Sequence, residues 1–348
     1  MTLNNFTRDG LMWQCPSAAC GCRPGKGSRE RRALKSGSFF SNRNLGVHLA
    51  LQGLWGLLHG MSQQTITSML RTSRITVRRL ARDYHLLLEA DLTREDMHVG
   101  GYTETGERII VQIDESKFGK RKDNRGHPVE GVWVLGGVEL TPQRKIFLAV
   151  VPRRDAETLT QVICHFIKPG SLIHSDGWSA YSGLRDTEGM YWVHQAVNHR
   201  IEFVTEEGVH TNNIEGTWAG IKRGITERQR TKQMTPWKLI EFIWRRKHSE
   251  DWWGGLLSSL RDVAFETIDD GREEGELSHG RDQIRMPMPR FTDFSYFQDA
   301  DSSTIPQRRP RSPSLNEDDI EFSEDEDSTS SSEVPSDDSD DSDYSESA

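Results

Sequence analysis

Arg108-Ile109-Ile110-Val111-Gln112-Ile113-Asp114 decides how this chain reads. The run is β-branched and ends on an acid, which predicts a strand closing at Asp114. Two more strands follow: Gly131-Val132-Trp133-Val134-Leu135-Gly136-Gly137-Val138 and Lys145-Ile146-Phe147-Leu148-Ala149-Val150-Val151. Between the first and second lies a basic, Gly-containing hairpin loop from Lys117 to Gly126. Three strands with short connections predict an antiparallel meander. Asp155 then caps a helix running to about Ile167, and Pro169-Gly170 stops it. Ser171-Leu172-Ile173-His174-Ser175-Asp176 reads as a short strand that again ends on an acid. Gly177 to Leu184 supplies one or two helical turns, and Tyr191 to Val197 a fifth strand. Helices follow over Asn212 to Ile225, with Ile214, Trp218 and Ile221 on one face, and over Trp237 to Lys247.

Three strands, a helix, a strand, a further strand and a helix is the order of an RNase H-like fold. The expected class is therefore α/β, with a mixed five-stranded sheet and helices over residues 105–255. In that arrangement the first strand is central and the fourth lies beside it, so Asp114 and Asp176 come together. A helix packed on the sheet can add Glu215. Carboxylates are what phosphodiester cleavage and strand transfer need. Two Mg²⁺ ions about 3.5–4 Å apart activate the attacking oxygen and stabilise the leaving one. Mg²⁺ takes carboxylate oxygens and keeps some water. The alternative is that the strand-end aspartates are solvated turn formers, since acids occupy 53 positions in the chain.

Four blocks carry a resemblance. They are Gln112-Ile113-Asp114-Glu115-Ser116-Lys117-Phe118-Gly119-Lys120-Arg121-Lys122, His174-Ser175-Asp176-Gly177-Trp178-Ser179-Ala180-Tyr181, Val197-Asn198-His199-Arg200, and His210-Thr211-Asn212-Asn213-Ile214-Glu215-Gly216-Thr217-Trp218-Ala219-Gly220-Ile221-Lys222-Arg223-Gly224. In this order they resemble a DDE-type transposase of the Merlin superfamily of eukaryotic DNA transposons and its bacterial insertion-sequence relatives, with an ISXO-like transposase domain. The resemblance spans roughly residues 45–255. It implies Asp114, Asp176 and Glu215 as metal-binding catalytic acids, Mg²⁺ or Mn²⁺ as cofactor, and double-stranded DNA, both transposon ends and target, as partner. It also implies a homo-oligomer, because both ends must be handled together. Some bacterial relatives use Asn at the third position, just upstream of the Glu, so Asn212 and Asn213 stand beside Glu215 as candidates. Lys222 lies two turns beyond Glu215 on nearly the same helix face. The resemblance casts it as a DNA contact near the active site, against an ordinary solvated lysine. Lys120, Arg121 and Lys122 of the basic loop are candidate DNA contacts. His174, His199 and His210 could order DNA or the carboxylates, or be packed and turn histidines. Trp133, Trp178, Trp192 and Trp218 read as core or site-wall aromatics.

Residues 46–92 read as helical. Ser62 is an N-cap for a short helix from Gln63 to Leu70, and Thr72-Ser73 turns into a longer helix from about Arg74 to Leu88. This has the length of a helix-turn-helix. Its second helix presents Arg74, Thr76, Arg78, Arg79 and Arg82, with Val77, Leu80 and Ala81 facing inward. Arginines reach phosphates and guanine edges while an apolar stripe anchors the helix. The alternative is an amphipathic helix with a solvated basic face. Residues 1–45 hold Cys15, Cys20 and Cys22, a Cys-x4-Cys-x-Cys spacing that lacks the paired ligands of a zinc ribbon. They are read as a degenerate zinc-ribbon-like segment, with zinc binding as the alternative.

The chain has 348 residues and a net charge of -9, unevenly spread. No Lys or Arg follows Arg311, and 15 acids fall between Glu317 and Ala348; the other 38 face 44 bases, a surplus of 6. A mildly basic body, compatible with nucleic acid, is thus masked by an acidic tail. Residues 270–348, rich in Ser, Asp, Glu and Pro, are expected to be disordered. Ser323-Glu324-Asp325-Glu326 and Ser336-Asp337-Asp338 suit an acidophilic kinase. No apolar run reaches the ~20 residues of a membrane span, and the first residues lack the pattern of a secretory signal. Arg308-Arg309-Pro310-Arg311 is compatible with nuclear import, and a nuclear protein is expected. Two other readings stay open: a domesticated descendant that binds DNA without cutting it, and a different RNase H-like nuclease. A glycosidase with paired carboxylates is a weaker third.

Overall fold

A computed structural model describes residues 2–4, 12–14, 31–33, 35, 38–41, 45–119, 131–197, 209–263 and 289–292. The first segment contributes three short antiparallel strands, β1 (Thr2–Asn4), β2 (Met12–Gln14) and β3 (Arg31–Ala33). They lie within residues 1–45, the segment read as zinc-ribbon-like. Cys15, Cys20 and Cys22 lie outside the described residues, as do Lys120, Arg121, Lys122, His199 and the acidic tail.

Three helices follow: α1 (Val47–Leu58), α2 (Gln63–Leu70) and α3 (Arg74–Asp91). Their starts follow from capping chemistry. Ser62 Oγ accepts the Thr65 N–H at 3.0 Å, and Ser73 Oγ accepts the Thr76 N–H at 3.1 Å. Val77, Leu80 and Ala81 are buried, as the apolar stripe requires. A short helix, α4 (Arg94–Met97), closed by a Thr93–Asp96 capping box, then leads into β4 (Val99–Gly100).

The centre is a mixed sheet of β5 (Ile110–Phe118), β6 (Val132–Glu139), β7 (Ile146–Val151), β9 (Leu172–Asp176) and β10 (Val193–Val197), in the order β10-β9-β5-β6-β7. β5, β6 and β7 form the expected antiparallel meander; β9 runs parallel to β5, and β10 parallel to β9. Between β7 and β9 lies α5 (Ala156–Phe166), capped by Asp155 through the Thr158 N–H at 2.9 Å. After it comes the two-residue strand β8 (Ile167–Lys168), which pairs with β4. The segment after β9 makes two single 3-10 turns, Ser179–Tyr181 and Leu184–Asp186.

The sequence places the end of the first strand at Asp114; β5 instead continues to Phe118. The polar residues Glu115 to Lys117 keep pairing, Lys117 against Trp133 and Phe118 against Val132. Asp114 is therefore mid-strand, opposite Gly136. A Cβ on Gly136 would sit 2.6 Å from the Trp218 ring, so the absent side chain leaves room for that indole over the sheet.

Three helices complete the described chain: α6 (Asn212–Gly224), α7 (Thr235–Lys247) and α8 (Trp252–Asp262). α7 joins the front helices to the sheet. Its Trp237 and Trp244 are fully buried, and Trp244 Nε1 donates to Asp91 Oδ2 at 2.9 Å. Arg245 Nη2 donates to the Leu58 carbonyl at 2.7 Å, capping the C-terminus of α1. Glu241, also buried, pairs with Lys238 at 2.6 Å and Arg245 at 2.5 Å, and lies 3.7 Å from His85 of α3. No helix among the described residues is long and apolar enough to cross a membrane.

Candidate active site

The parallel pairing of β5 and β9 matches Ile110, Val111 and Gln112 with Leu172, Ile173 and His174. Two residues further along the same register, Asp114 and Asp176 stand side by side at the point where the strands separate. Asp114 is half-buried, and its Oδ2 accepts a hydrogen bond from Trp218 Nε1 at 2.9 Å. Burial pushes its pKa up to about 6; the indole hydrogen bond opposes the rise, and the charges of Asp176 and Glu215 add to it. The other two expected acids thus both act on Asp114. Asp176 Oδ1 accepts the Trp178 N–H at 3.2 Å. Behind it, Ser175 Oγ meets His194 Nε2 at 2.7 Å, and burial first, then Arg185 and His174, holds that imidazole down at about 4.

Glu215 is exposed in the first turn of α6, where Thr211 Oγ1 donates to its Oε1 at 3.1 Å. A residue that sequence reasoning passed over fixes this helix. Gln112 is fully buried, two residues before Asp114 and on the same sheet face. Its Oε1 accepts the N–H groups of Asn213 at 2.9 Å and Ile214 at 3.2 Å, while its Nε2 lies 3.1 Å from His210 Nδ1. One amide therefore ties the strand of Asp114 to the helix of Glu215 and satisfies orphan donors at that helix's start.

Among the third-position candidates, Glu215 is the one whose charge reaches Asp114. Asn212 is exposed, with its N–H 3.4 Å from His210 Nδ1; Asn213 Oδ1 accepts from Arg144 at 3.3 Å. Lys222 is half-buried at the far end of α6, with Nζ 5.9 Å from the Phe118 ring centre. Burial and Arg230 lower its pKa, and the Asp114 charge opposes them. His174 is buried, and burial lowers its pKa.

A fourth carboxylate, Glu115, was not legible in the sequence. It points to the sheet face opposite Asp114, accepts a hydrogen bond from Tyr181 Oη, and is pushed up to about 7 by burial. The Tyr181 bond and Arg154 work against that rise, while Asp114 and Asp176 add to it. Only the packing of Tyr181, 66 residues away in sequence, reveals its burial.

Among the described residues, no three His, Cys, Asp or Glu side chains are already drawn up at metal-ligand spacing. The donor set nonetheless suits a hard divalent cation. It is all oxygen, and the repulsion that Asp114 feels from Asp176 and Glu215 is what such a cation would relieve. Cys164, half-buried in α5, has its thiol pushed up to about 12 by burial and offers no thiolate.

At the front, Arg74, Arg78 and Arg79 are exposed on α3. Arg82 is half-buried against Asp83 at 3.0 Å, and the Thr76 hydroxyl is 2.8 Å from Ser73 Oγ in the helix cap.

Comparison with known proteins agrees with this geometry. Residues 99–246 match the family model described as the ISXO2-like transposase domain. An uncharacterized transposase-like protein of Haemophilus influenzae is 29% identical over 107 residues, 30% of this chain and 84% of that protein. The matched segment opens at β4 and ends within α7, so it contains Gln112, Asp114, Glu115, Asp176, Glu215 and Lys222. Helices α1 to α3 and α8 lie outside the match.

Proposed function

We propose that the chain is a DDE-type transposase of the Merlin kind. One observation supports the reading: Asp114, Asp176 and Glu215 come from β5, β9 and α6, and the charges of Asp176 and Glu215 both reach Asp114 within the segment that resembles an ISXO2-like transposase domain. The catalytic unit is an RNase H-like domain, residues 105–255. The α2–α3 pair, within 46–92, acts as a helix-turn-helix that binds terminal inverted repeats through Arg74, Arg78 and Arg79, with Arg82 at its edge. Thr76 spends its hydroxyl on the helix cap, so it is the weakest base-reading candidate of the set.

Asp114, Asp176 and Glu215 would hold Mg²⁺ or Mn²⁺. When bound, the metal supplies Lewis-acid stabilisation for an in-line displacement at phosphorus. Trp218 fixes the rotamer of Asp114 through its Oδ2. Gln112 and Thr211 hold Glu215 at the height of the two aspartates. Lys222 supplies positive charge for the DNA backbone at the end of the same helix. The active protein is a homo-oligomer that works on paired transposon ends in a nucleus. Its acidic serine clusters receive phosphates from an acidophilic kinase, which deepens the negative charge of the tail.

The test is cleavage and strand transfer with Mg²⁺ on a DNA end taken from the repeats flanking the gene, wild type beside Asp176→Asn. Wild type is expected to cut and join 3′ ends. The variant should lose more than about 100-fold, since even residues that only support a metal ligand cost ~10–100-fold. Hydrolysis without joining would replace the reading with a nuclease. Binding without either reaction would replace it with a domesticated DNA-binding protein.

A further inference from the structure

Strand alternation puts a second set of side chains on the face of the sheet that Asp114 does not use. Lys117 is the cross-strand partner of Trp133, so both point to the face that carries Glu115. Arg154, just before the cap of α5, lays its guanidinium over Trp133, with Cζ 3.7 Å from the ring centre. The same Cζ is 5.1 Å from the ring centre of Trp178, and Lys117 Nζ is 5.3 Å from that of Trp133. Lys117 and Arg154 are exposed; both indoles are half-buried. Glu115, held by Tyr181, lies behind and attracts Arg154.

The rim begins where the strand of Asp176 ends, on the face opposite Asp114. Trp178 donates its backbone N–H to Asp176 Oδ1 at 3.2 Å. A guanidinium over an indole can still turn its in-plane N–H groups to a phosphate. The contact of Arg154 with Trp178 is looser, at 5.1 Å. Two cations and two indoles within a few ångströms suit a nucleotide, whose phosphate and base they can take separately. A base inside a duplex already stacks on its neighbours; one that stacks on a protein indole has left the helix.

We propose that Lys117, Arg154, Trp133 and Trp178 form a binding rim for an unpaired nucleotide next to the scissile phosphate. The proposal rests on the transposase reading, deepens it, and predicts that the DNA end is opened at the site of cleavage.

The experiment uses the full chain with Ca²⁺ in place of Mg²⁺, at fixed salt. It measures Kd for a transposon-end duplex that is fully paired and for the same end with three terminal bases unpaired. Wild type should prefer the unpaired end by ~10-fold, the scale of one base–aromatic stack. Arg154→Ala and Trp178→Leu should lose that preference while fully paired DNA binds within about twofold of wild type. Arg154→Lys keeps the charge without the planar stack and should lose most of it. Melting followed by circular dichroism identifies any variant that fails to fold, and Lys117→Gln, at an exposed position, supplies an independent loss of preference. No preference in wild type, or one that survives in the folded variants, overturns the rim. Wild type that cleaves and joins without preferring unpaired ends keeps the transposase reading and removes the rim. Wild type that prefers unpaired ends but never joins them keeps the rim and removes the transposase reading.

Discussion

Gln112 makes three contacts with one side chain, and each falls between the strand of Asp114 and the helix of Glu215. Gln112→Leu keeps the volume roughly but leaves two helix N–H groups buried without an acceptor, a cost of about 1–3 kcal/mol. The expected outcome is a lower melting temperature together with slower single-turnover cleavage, since Glu215 would no longer be held at the height of Asp114. Unchanged cleavage in a folded variant would show that Glu215 needs no such tether. At this scale the sequence was legible where chemistry leaves a type signature. Asp114, Asp176 and Glu215 are acids in recognisable blocks, and Trp218 reads as a site-wall aromatic. Gln112 and Glu115 have no such signature. Their roles depend on α6 and on Tyr181, which are distant along the chain, and a glutamate beside an aspartate in a strand gives no sign of being buried on the opposite face.

Among the elements, α7 does most to join the two parts of the described chain. Burial by itself would raise the Glu241 carboxyl, but nearby His85 and the charges of Lys238 and Arg245 hold it well below the usual carboxylate range. Glu241→Gln removes the anion and strands two cations in a buried setting. Breaking a buried pair on one side costs about 3–5 kcal/mol, so urea denaturation should show a loss of that order. Tryptophan fluorescence and far-ultraviolet circular dichroism should lose their common midpoint if α1–α3 then separate from the sheet before it unfolds. Helix starts were readable because caps are local: Ser62 and Asp155 act as their residue types predict. α8 was not, because Gly254-Gly255 reads as a break. Asp251 nonetheless caps it through the Gly254 N–H at 2.9 Å, and a Cβ on Gly255 would lie 2.5 Å from the His248 ring. Gly255 answers to the end of α7 and Gly254 to the Asp251 cap of its own helix. The end of β5 was misplaced for a related reason: Glu115 to Lys117 are polar, yet β6 pairs with them.

Across the described chain, the front helices meet the five-stranded sheet at a seam whose stability is expected to depend on pH. β4 pairs with β8 there, Lys168 reaches Glu95 at 3.5 Å, and His98 lies 3.6 Å from the same carboxylate. His165 of α5 packs against Phe166 and faces His98, with ring centres 4.9 and 6.3 Å away. Burial first, then the charges of Arg94 and His98, lowers its pKa from 6.5 to about 4. Between those values the unfolded chain binds a proton that the folded chain does not. The contribution of neutral His165 is therefore complete above pH 6.5 and is lost as pH falls toward 4. Other groups titrate in the same range, so the term is best isolated as a difference. The stability of wild type minus that of His165→Gln should decline steadily from pH 7 to pH 4. Solvent access keeps the slope below the ~1.4 kcal/mol per pH unit of one fully coupled proton. A difference that stays flat, or grows toward acid, would show that the seam tolerates a charged imidazole. A decline would mean that mild acid loosens the joint between the front helices and the five-stranded sheet before it reaches the carboxylates of the candidate site.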